Sequence, residues 1–232
     1  TFLTTPDIIT LHRNLQKSAY GVLKWAMSID GRLGLKNGES KWITNEYSRS
    51  QVHKLRSDFD AVIIGGNTLR KDNPLLTTRG LKQHEPLRVV FTRSLDLPQN
   101  AKLWDTKLSN TLIVYDSSKA NEEYLVRIPK NVEVVKAPCD NPKFLSEILA
   151  ERGCNKVLWE CGANLATSAV KAGCIQECIT FIAPKVLGGN NSMAPFNDFE
   201  FTSMAEVINL DLQETKTFYQ DIFLRYFLKD KI

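Results

Sequence analysis

The stretch "DAVIIGGNTLRKDNPLLTTRG", Asp60–Gly80, decides how this chain is read. It opens on the apolar run Ala61 to Ile64 and stops at Gly65-Gly66. A short β-branched run without alternation is a strand buried on both faces. Such strands build parallel sheets covered by helices. In open sheets of that kind, ligands gather beyond the carboxyl ends of the strands. The residues after the glycines are therefore candidates to meet one. Thr68 opens a short helical turn, Asp72-Asn73-Pro74 makes a turn that fixes the Asp side chain, and Arg79 suits a phosphate through two parallel bonds. Read alone, the plainer account is a strand, a turn and solvated charges.

The neighbouring segments extend the same pattern. "YGVLKWAMS" (Tyr20–Ser28), "PLRVVFT" (Pro86–Thr92), "TLIVYD" (Thr111–Asp116), "VEVVKA" (Val132–Ala137), "KVLWECG" (Lys156–Gly162) and "ECITFIAP" (Glu177–Pro184) read as strands. Helices are expected from a Thr5 cap to about Lys17, and from Asn45 to about Ser57 behind a Thr44 cap. Three more are expected. One is a short turn in "NEEYLVRI", and one runs Asn141–Arg152 with Phe144, Ile148 and Leu149 inward. The last runs Ala163–Ala172 and ends at Gly173. In the tail, "AEVINLDLQ" and "DIFLRYFLK" alternate more strongly and are joined by "ETKTFYQ", which predicts an antiparallel pair at one side of the sheet. The expected architecture is one three-layer α/β domain over 1–232 with a mixed sheet, residues 1–18 forming a helical extension on a core of 19–232.

Charge and cysteine usage narrow the function. The 232 residues carry 30 Lys and Arg against 26 Asp and Glu, scattered without a dense basic run, which argues against a nucleic-acid partner and leaves anionic small molecules open. No apolar run is long enough to cross a bilayer, so no membrane role is expected. The start lacks a basic-then-apolar leader, and the absence of an initiator Met fits a removed segment. The expected compartment is the cytoplasm, or an organelle stroma. The five cysteines, Cys139, Cys154, Cys161, Cys174 and Cys178, contain no Cys-x-x-Cys, which points to reduced thiols. Cys174 and Cys178 are spaced as helical neighbours, but no His nearby completes a zinc set.

Three further motifs carry candidate chemistry. In "WECGANLATSAV" a buried strand delivers Glu160, Cys161-Gly162 turn, and the first amides of the next helix can face an anion. The plainer reading of Glu160 is a helix-start carboxylate. "GESKWIT" places Ser40 and the flat face of Trp42 on a loop; a Trp plugging the core explains that residue equally well. Twelve residues after Thr44 comes Arg56, while His53 reads as a solvated helix residue. In "LKWAMSIDGR", Lys24 sits inside an apolar strand, a costly position for a cation without a partner. Glu160 is the expected partner.

Taken in order, "LKWAMSIDGR", "GESKWIT", "HKLRSDFDAVIIGGNTLRKDNPLLTTR", "PLRVVF", "LWECGANLA" and "IAPKVLGG" resemble the reductase domain of the bacterial riboflavin-biosynthesis deaminase–reductase. They span most of Tyr20 to Gly189. The resemblance implies a dihydrofolate-reductase-like fold, NADPH as hydride donor and a homodimer. It further implies reduction of the ribosyl group of 5-amino-6-(5-phosphoribosylamino)uracil to ribityl. Carried over by position, Ser40, Arg56, Leu76, Arg79 and Glu160 line the substrate, the two arginines taking its 5′-phosphate. Ala26, Trp42, Thr68 and Asp72 contact the cofactor. Gly162, Ala163, Asn164, Leu165, Ala166, Thr167 and Ser168 cradle its diphosphate. Lys24, Asp72 and Glu160 are the catalytic candidates.

The chain also departs from the bifunctional pattern. It has neither the His-x-Glu nor the Pro-Cys-x-x-Cys signature of the zinc deaminase, so neither deamination nor a metal is expected. Cys161 stands where the family commonly has a small residue. Arg93 stands at a cofactor-contacting position, where it favours a 2′-phosphate or is simply solvated. Alternative readings are a reductase of a pterin or of the non-deaminated pyrimidine, and an inactive nucleotide-binding relative. The Arg56–Arg79 pair favours a phosphorylated substrate, and the retained Lys24, Asp72 and Glu160 disfavour decay.

Overall fold

Apolar side chains that alternate between two layers build the centre of the molecule. The computed structural model describes residues 5–81, 85–138, 141–189 and 192–229. In chain order these form α1 (Thr5–Gln16), β1 (Tyr20–Ser28), α2 (Glu46–Arg56), β2 (Ala61–Gly65), α3 (Gly66–Asp72), β3 (Leu87–Thr92) and β4 (Thr111–Tyr115). There follow β5 (Glu133–Lys136), α4 (Lys143–Glu151), β6 (Lys156–Trp159), α5 (Ala163–Lys171), β7 (Glu177–Ala183), β8 (Leu210–Phe218) and β9 (Asp221–Leu228). Short 3₁₀ turns at Lys102–Trp104 and Glu122–Arg127 complete the set.

The strands form one nine-stranded sheet in the order β5-β4-β3-β2-β6-β1-β7-β9-β8. Pairing is parallel from β5 to β7, while β9 runs antiparallel to β7 and β8 antiparallel to β9. On one face Leu23, Ile63, Val89, Leu112 and Trp159 pack with Leu145 and Leu149 of α4 and Ala166 and Ala169 of α5. On the other, Val22, Ile64, Val90, Ile113 and Leu158 pack with Leu69 of α3, Val52 and Leu55 of α2 and Ile8 and Ile9 of α1. This is the three-layer, mixed-sheet form expected of a dihydrofolate-reductase-like fold. Because β6 comes late in the chain and fills the gap between β1 and β2, three strand ends from distant parts of the sequence meet at one edge.

Several local expectations shift. Asn45, not Thr44, caps α2: its side chain accepts from the Ser48 amide at 2.9 Å and donates to the Phe218 carbonyl at 2.8 Å. In α4 Leu145 and Leu149 are buried, Ile148 packs half-buried against the same core, and Phe144 is exposed. "ETKTFYQ" is no linker, for Glu214–Phe218 continue β8 and only Tyr219-Gln220 turn. Cys178 lies in β7, so Cys174 and Cys178 are not helical neighbours. Cys154, Cys161, Cys174 and Cys178 are free and buried; Cys139 lies outside the described residues. Burial pushes the Cys161 and Cys178 thiols up to about 12, which leaves them protonated and inert at neutral pH.

One buried and one half-buried cation went unread in the sequence. Arg88 of β3 is fully buried and donates to the carbonyls of Leu103 and Asp105, both at 2.9 Å. Arg225 of β9 grips the buried Glu177 of β7 through Nε at 2.6 Å and Nη2 at 3.0 Å, tying the antiparallel tail to the parallel part. The tightest backbone approach is at Gly21, where an added Cβ would run into the backbone carbonyl of Cys174. Gly21→Ala is therefore expected to cost about 1–3 kcal/mol of stability, the usual range for overpacking. A wild-type midpoint in urea unfolding would contradict that packing.

Candidate active site

The register of the central strands places the first pair of functional side chains. Tyr20 lies beside Lys156 and Leu23 beside Trp159, so Lys24, inside β1, and Glu160, just past the end of β6, come side by side. They share the face of Val22 and Leu158, the face that α2 crosses. The Glu160 amide donates to the Ile63 carbonyl at 2.9 Å, which fixes the backbone against β2. Lys24 Nζ sits 3.3 Å from Glu160 Oε2. From the last position of α2, Arg56 Nε donates to Glu160 Oε1 at 2.6 Å and Nη2 to Oε2 at 3.1 Å. Only 10% of the Glu160 side chain and 13% of the Lys24 side chain are exposed.

A buried carboxylate is raised in pKa by desolvation and lowered by cations. At Glu160 burial acts upward, but the Arg56 guanidinium and then the Lys24 ammonium outweigh it and hold the carboxyl at about 2. Glu160 is thus an anion at every pH at which the protein is expected to work. Arg56 is lowered by burial but raised more by Glu160, so it too stays charged.

The Arg56 guanidinium has a further partner: Nη1 donates to the Thr77 carbonyl at 3.1 Å. Arg56 was expected on the substrate phosphate; within the protein its guanidinium meets Glu160 and Thr77. Thr77 belongs to a loop in which Leu76 (φ 55°) and Arg79 (φ 56°) are both left-handed, a conformation non-glycine residues seldom adopt. Glu85 secures that loop by accepting from the Thr78 hydroxyl at 2.6 Å and the Gly80 amide at 3.4 Å. Leu76 is buried and Arg79 points into solvent. His53, read as solvated, is half-buried, with Nδ1 3.4 Å from the Thr77 carbonyl and 3.3 Å from Arg56 Nη1.

The cofactor candidates fall around the same edge. Ala26 follows Lys24 two residues along β1 and is half-buried on the same face. Thr68 is half-buried in α3, and Asp72 is exposed at its last position. Arg93 is exposed just beyond β3, and Ser40 is half-buried in the loop before α2. Trp42 does not plug the core: it is 62% exposed, with the Arg49 guanidinium 4.5 Å from its ring centroid. Arg70 and Lys71 are both exposed, and Arg70 donates to the Asp96 carbonyl at 2.6 Å.

At the start of α5, Gly162 is the N-cap and offers no side-chain bond, and a Cβ there would meet nothing within 4 Å. The first amides of the helix are open to an anion at the positive end of its dipole. Within the expected diphosphate loop, Gly162, Asn164 and Ser168 are exposed, Ala163 and Leu165 half-buried, and Ala166 and Thr167 buried. The Thr167 hydroxyl accepts from the Asn197 amide at 2.9 Å, and Asn197 Nδ2 donates to Asn164 Oδ1 at 2.6 Å. The loop can therefore contribute backbone amides and two or three outward side chains.

Asp30 was missed. In the turn after β1 it accepts from the amides of Leu187 at 3.1 Å and Gly188 at 2.7 Å, joining that turn to the loop after β7. The Ser28 hydroxyl and these two amides lower its carboxyl to about 2. An Asp before Gly signals a turn, but nothing local announces the distant amides. Among the described residues no group of His, Cys, Asp and Glu is arranged to hold a metal, and no helix is long and apolar enough to cross a membrane.

Comparison with known proteins gives the same direction. The chain is 41% identical over 192 residues to the riboflavin biosynthesis protein RibD of Synechocystis sp., covering 82% of this chain and 52% of that protein. It is 39% identical over 200 residues to the riboflavin biosynthesis protein PYRR, chloroplastic, of Arabidopsis thaliana, covering 86% and 33%. The chain thus spans about a third to a half of these relatives. RibD of Acinetobacter baumannii superposes with a TM-score of 0.82 at 29% identity, over 96% of this chain and 62% of that one. The family model described as RibD C-terminal domain matches residues 19–224. The chain belongs to the RibD C-terminal domain family.

Proposed function

We propose that the chain reduces the ribosyl group of 5-amino-6-(5-phosphoribosylamino)uracil to ribityl, with NADPH as donor. The observation that carries this reading is the Lys24–Glu160–Arg56 cluster where the end of β6 meets the middle of β1, in a chain of this family. The uncapped start of α5 fits the diphosphate of a dinucleotide, with Gly162 to Ser168 around it and Ala26, Trp42, Thr68, Asp72 and Arg93 beside it. When bound, that cofactor supplies the hydride. The same reading carries a single reductase unit, a homodimer and an aqueous compartment, cytoplasm or stroma.

The protein's share of the chemistry follows from the ion network. Opening of the ribosylamine ring places a positive charge on the C1′=N bond and requires one proton at the ring oxygen; reduction then adds one hydride at C1′. Glu160, held ionised, answers the positive charge. Lys24 is the neighbouring group with protons to give, and serves the ring oxygen. Arg56 keeps the carboxylate in place with two parallel bonds, so no rearrangement is needed as charge develops. Leu76 and Arg79 line the substrate, and Asp72 orients ribose or nicotinamide.

The test is NADPH oxidation in the presence of the deaminated pyrimidine, the non-deaminated pyrimidine or dihydrofolate. The deaminated compound is expected to support turnover and dihydrofolate none. Oxidation with dihydrofolate alone, or with none of the three, would overturn the proposal.

A further inference from the structure

Two charged side chains outside the Lys24–Glu160–Arg56 cluster tie three loops together past the carboxyl ends of β1 and β7. Ile29, the first residue beyond β1, donates its amide to the Lys185 carbonyl at 3.0 Å and so carries the pairing of β1 with β7 one bond further. Next to it, the half-buried Asp30 accepts from the Leu187 amide on one carboxylate oxygen and from the Gly188 amide on the other. Gly188 (φ 64°) and Gly189 (φ 88°) are both left-handed, so this loop has little stiffness of its own, and the carboxylate supplies it. From the same loop the exposed Lys185 reaches the long connection between β1 and α2, where its Nζ donates to the Trp42 carbonyl at 2.8 Å. Trp42 gains from such a hold, because its ring is 62% exposed and belongs to neither apolar layer of the core.

We propose that Asp30 and Lys185 are positioning residues for the dinucleotide: Asp30 fixes the loop after β7, and Lys185 on that loop holds the backbone at Trp42 where its ring meets the cofactor. The inference rests on the reading of Trp42 as a cofactor contact and names what orders that contact. Neither charge has to touch the cofactor. An indole on a loose loop must be immobilised as the ligand binds, and that ordering is subtracted from affinity. A loop held beforehand has already met the cost. A lysine stem is flexible, so its ammonium fixes Trp42 only as well as its own backbone is fixed. That backbone is held at the Lys185 carbonyl by the Ile29 amide and, two and three residues on, by Asp30. The two contacts therefore act in series, and removing either releases Trp42. They touch none of Lys24, Glu160 and Arg56, so the effect falls on cofactor affinity and not on turnover at saturation.

The experiment compares Asp30→Asn, Lys185→Met and the double variant in the whole protein. Asparagine brings a single acceptor oxygen to two amides, and methionine keeps the stem of Lys185 without its ammonium. NADPH binding is measured by fluorescence titration. In the protein without cofactor, NMR relaxation follows the motion of the Trp42 indole, whose signal is identified by its loss in Trp42→Phe. Each single variant is expected to weaken NADPH binding and raise its KM about tenfold, with kcat within about twofold of wild type. The Trp42 indole should become more mobile in both. Because the contacts act in series, the double variant should lose no more than about twofold beyond the single variants. Lys185 is exposed, so Lys185→Met decides the matter even if Asp30→Asn fails to fold. Wild-type NADPH affinity in the folded variants, an unchanged indole mobility, losses that multiply in the double variant, or a fall in kcat with unchanged KM each overturns the proposal. If that happens while the wild type binds NADPH and reduces the deaminated pyrimidine, the positioning roles fail and the proposed activity stands. A wild type that does not bind NADPH removes both.

Discussion

Glu160→Gln is expected to lower turnover by about 10²-fold or more, roughly 2.7 kcal/mol of barrier. Glutamine keeps the shape and can still accept from Arg56, but it removes the only anion between two buried cations. The positive charge of the opened ribosylamine then meets Lys24 and Arg56 without compensation. Binding of NADPH should change little, because the open amides at the start of α5 are untouched. Steady-state kinetics distinguishes the cases: a fall in kcat with little change in KM for NADPH supports the role, and near-wild-type kcat sinks it. Glu160→Ala goes further. It leaves Arg56 and Lys24 without their carboxylate, at a stability cost of about 3–5 kcal/mol.

The second large effect is on stability against acid. Glu160 has an ordinary value of 4.5 and is held at about 2 in the fold. A folded value below the unfolded one means that the carboxylate stabilises the fold fully above the unfolded value. That contribution is lost as pH falls towards the folded value. The shift corresponds to stabilisation on the order of 3 kcal/mol at pH 7, of which about 2 kcal/mol is gone by pH 3. Urea unfolding of wild type and Glu160→Gln at several pH values isolates this group. Their stability gap is expected to shrink between pH 7 and pH 3, and a gap independent of pH would show that Glu160 is not held by these cations.

Much of the framework was legible because its signals are local. An apolar run that ends in glycine marks a strand buried on both faces, and Ala61–Gly65 and Lys156–Trp159 are such strands. Lys24 and Glu160 stood out for the same reason: a charge inside or at the end of an apolar strand needs a partner. Their pairing follows from the parallel register of β1 and β6, which sequence order alone does not give. That Arg56 binds Glu160 was not read, because the packing of α2 on the sheet decides it. Up to that contact, a phosphate and a buried carboxylate are equally good acceptors for a guanidinium.

Other features were hidden for comparable reasons. Thr44 and Asn45 are both good caps, and Asn45 wins through bonds to the β8–β9 turn, where its amide also meets Asp221 at 2.8 Å. The second half of β8, Glu214–Phe218, is mostly polar and solvent-exposed, so it lacks the apolar alternation that announces a strand. In α4, which has only nine residues, one step of helical phase exchanges Phe144 for Leu145. The contacts of Asp30 with Leu187 and Gly188 cross 157 residues or more and have no local sign.

The most direct measurement follows the hydride itself. The whole protein is incubated with 5-amino-6-(5-phosphoribosylamino)uracil and NADPH carrying deuterium at nicotinamide C4, and the pyrimidine product is analysed by mass spectrometry and NMR. The account predicts a ribitylamino product with one deuterium at C1′, formed by the wild type and strongly reduced in Glu160→Gln. A pyrimidine recovered unreduced, or a product with its deuterium anywhere but C1′, would contradict it.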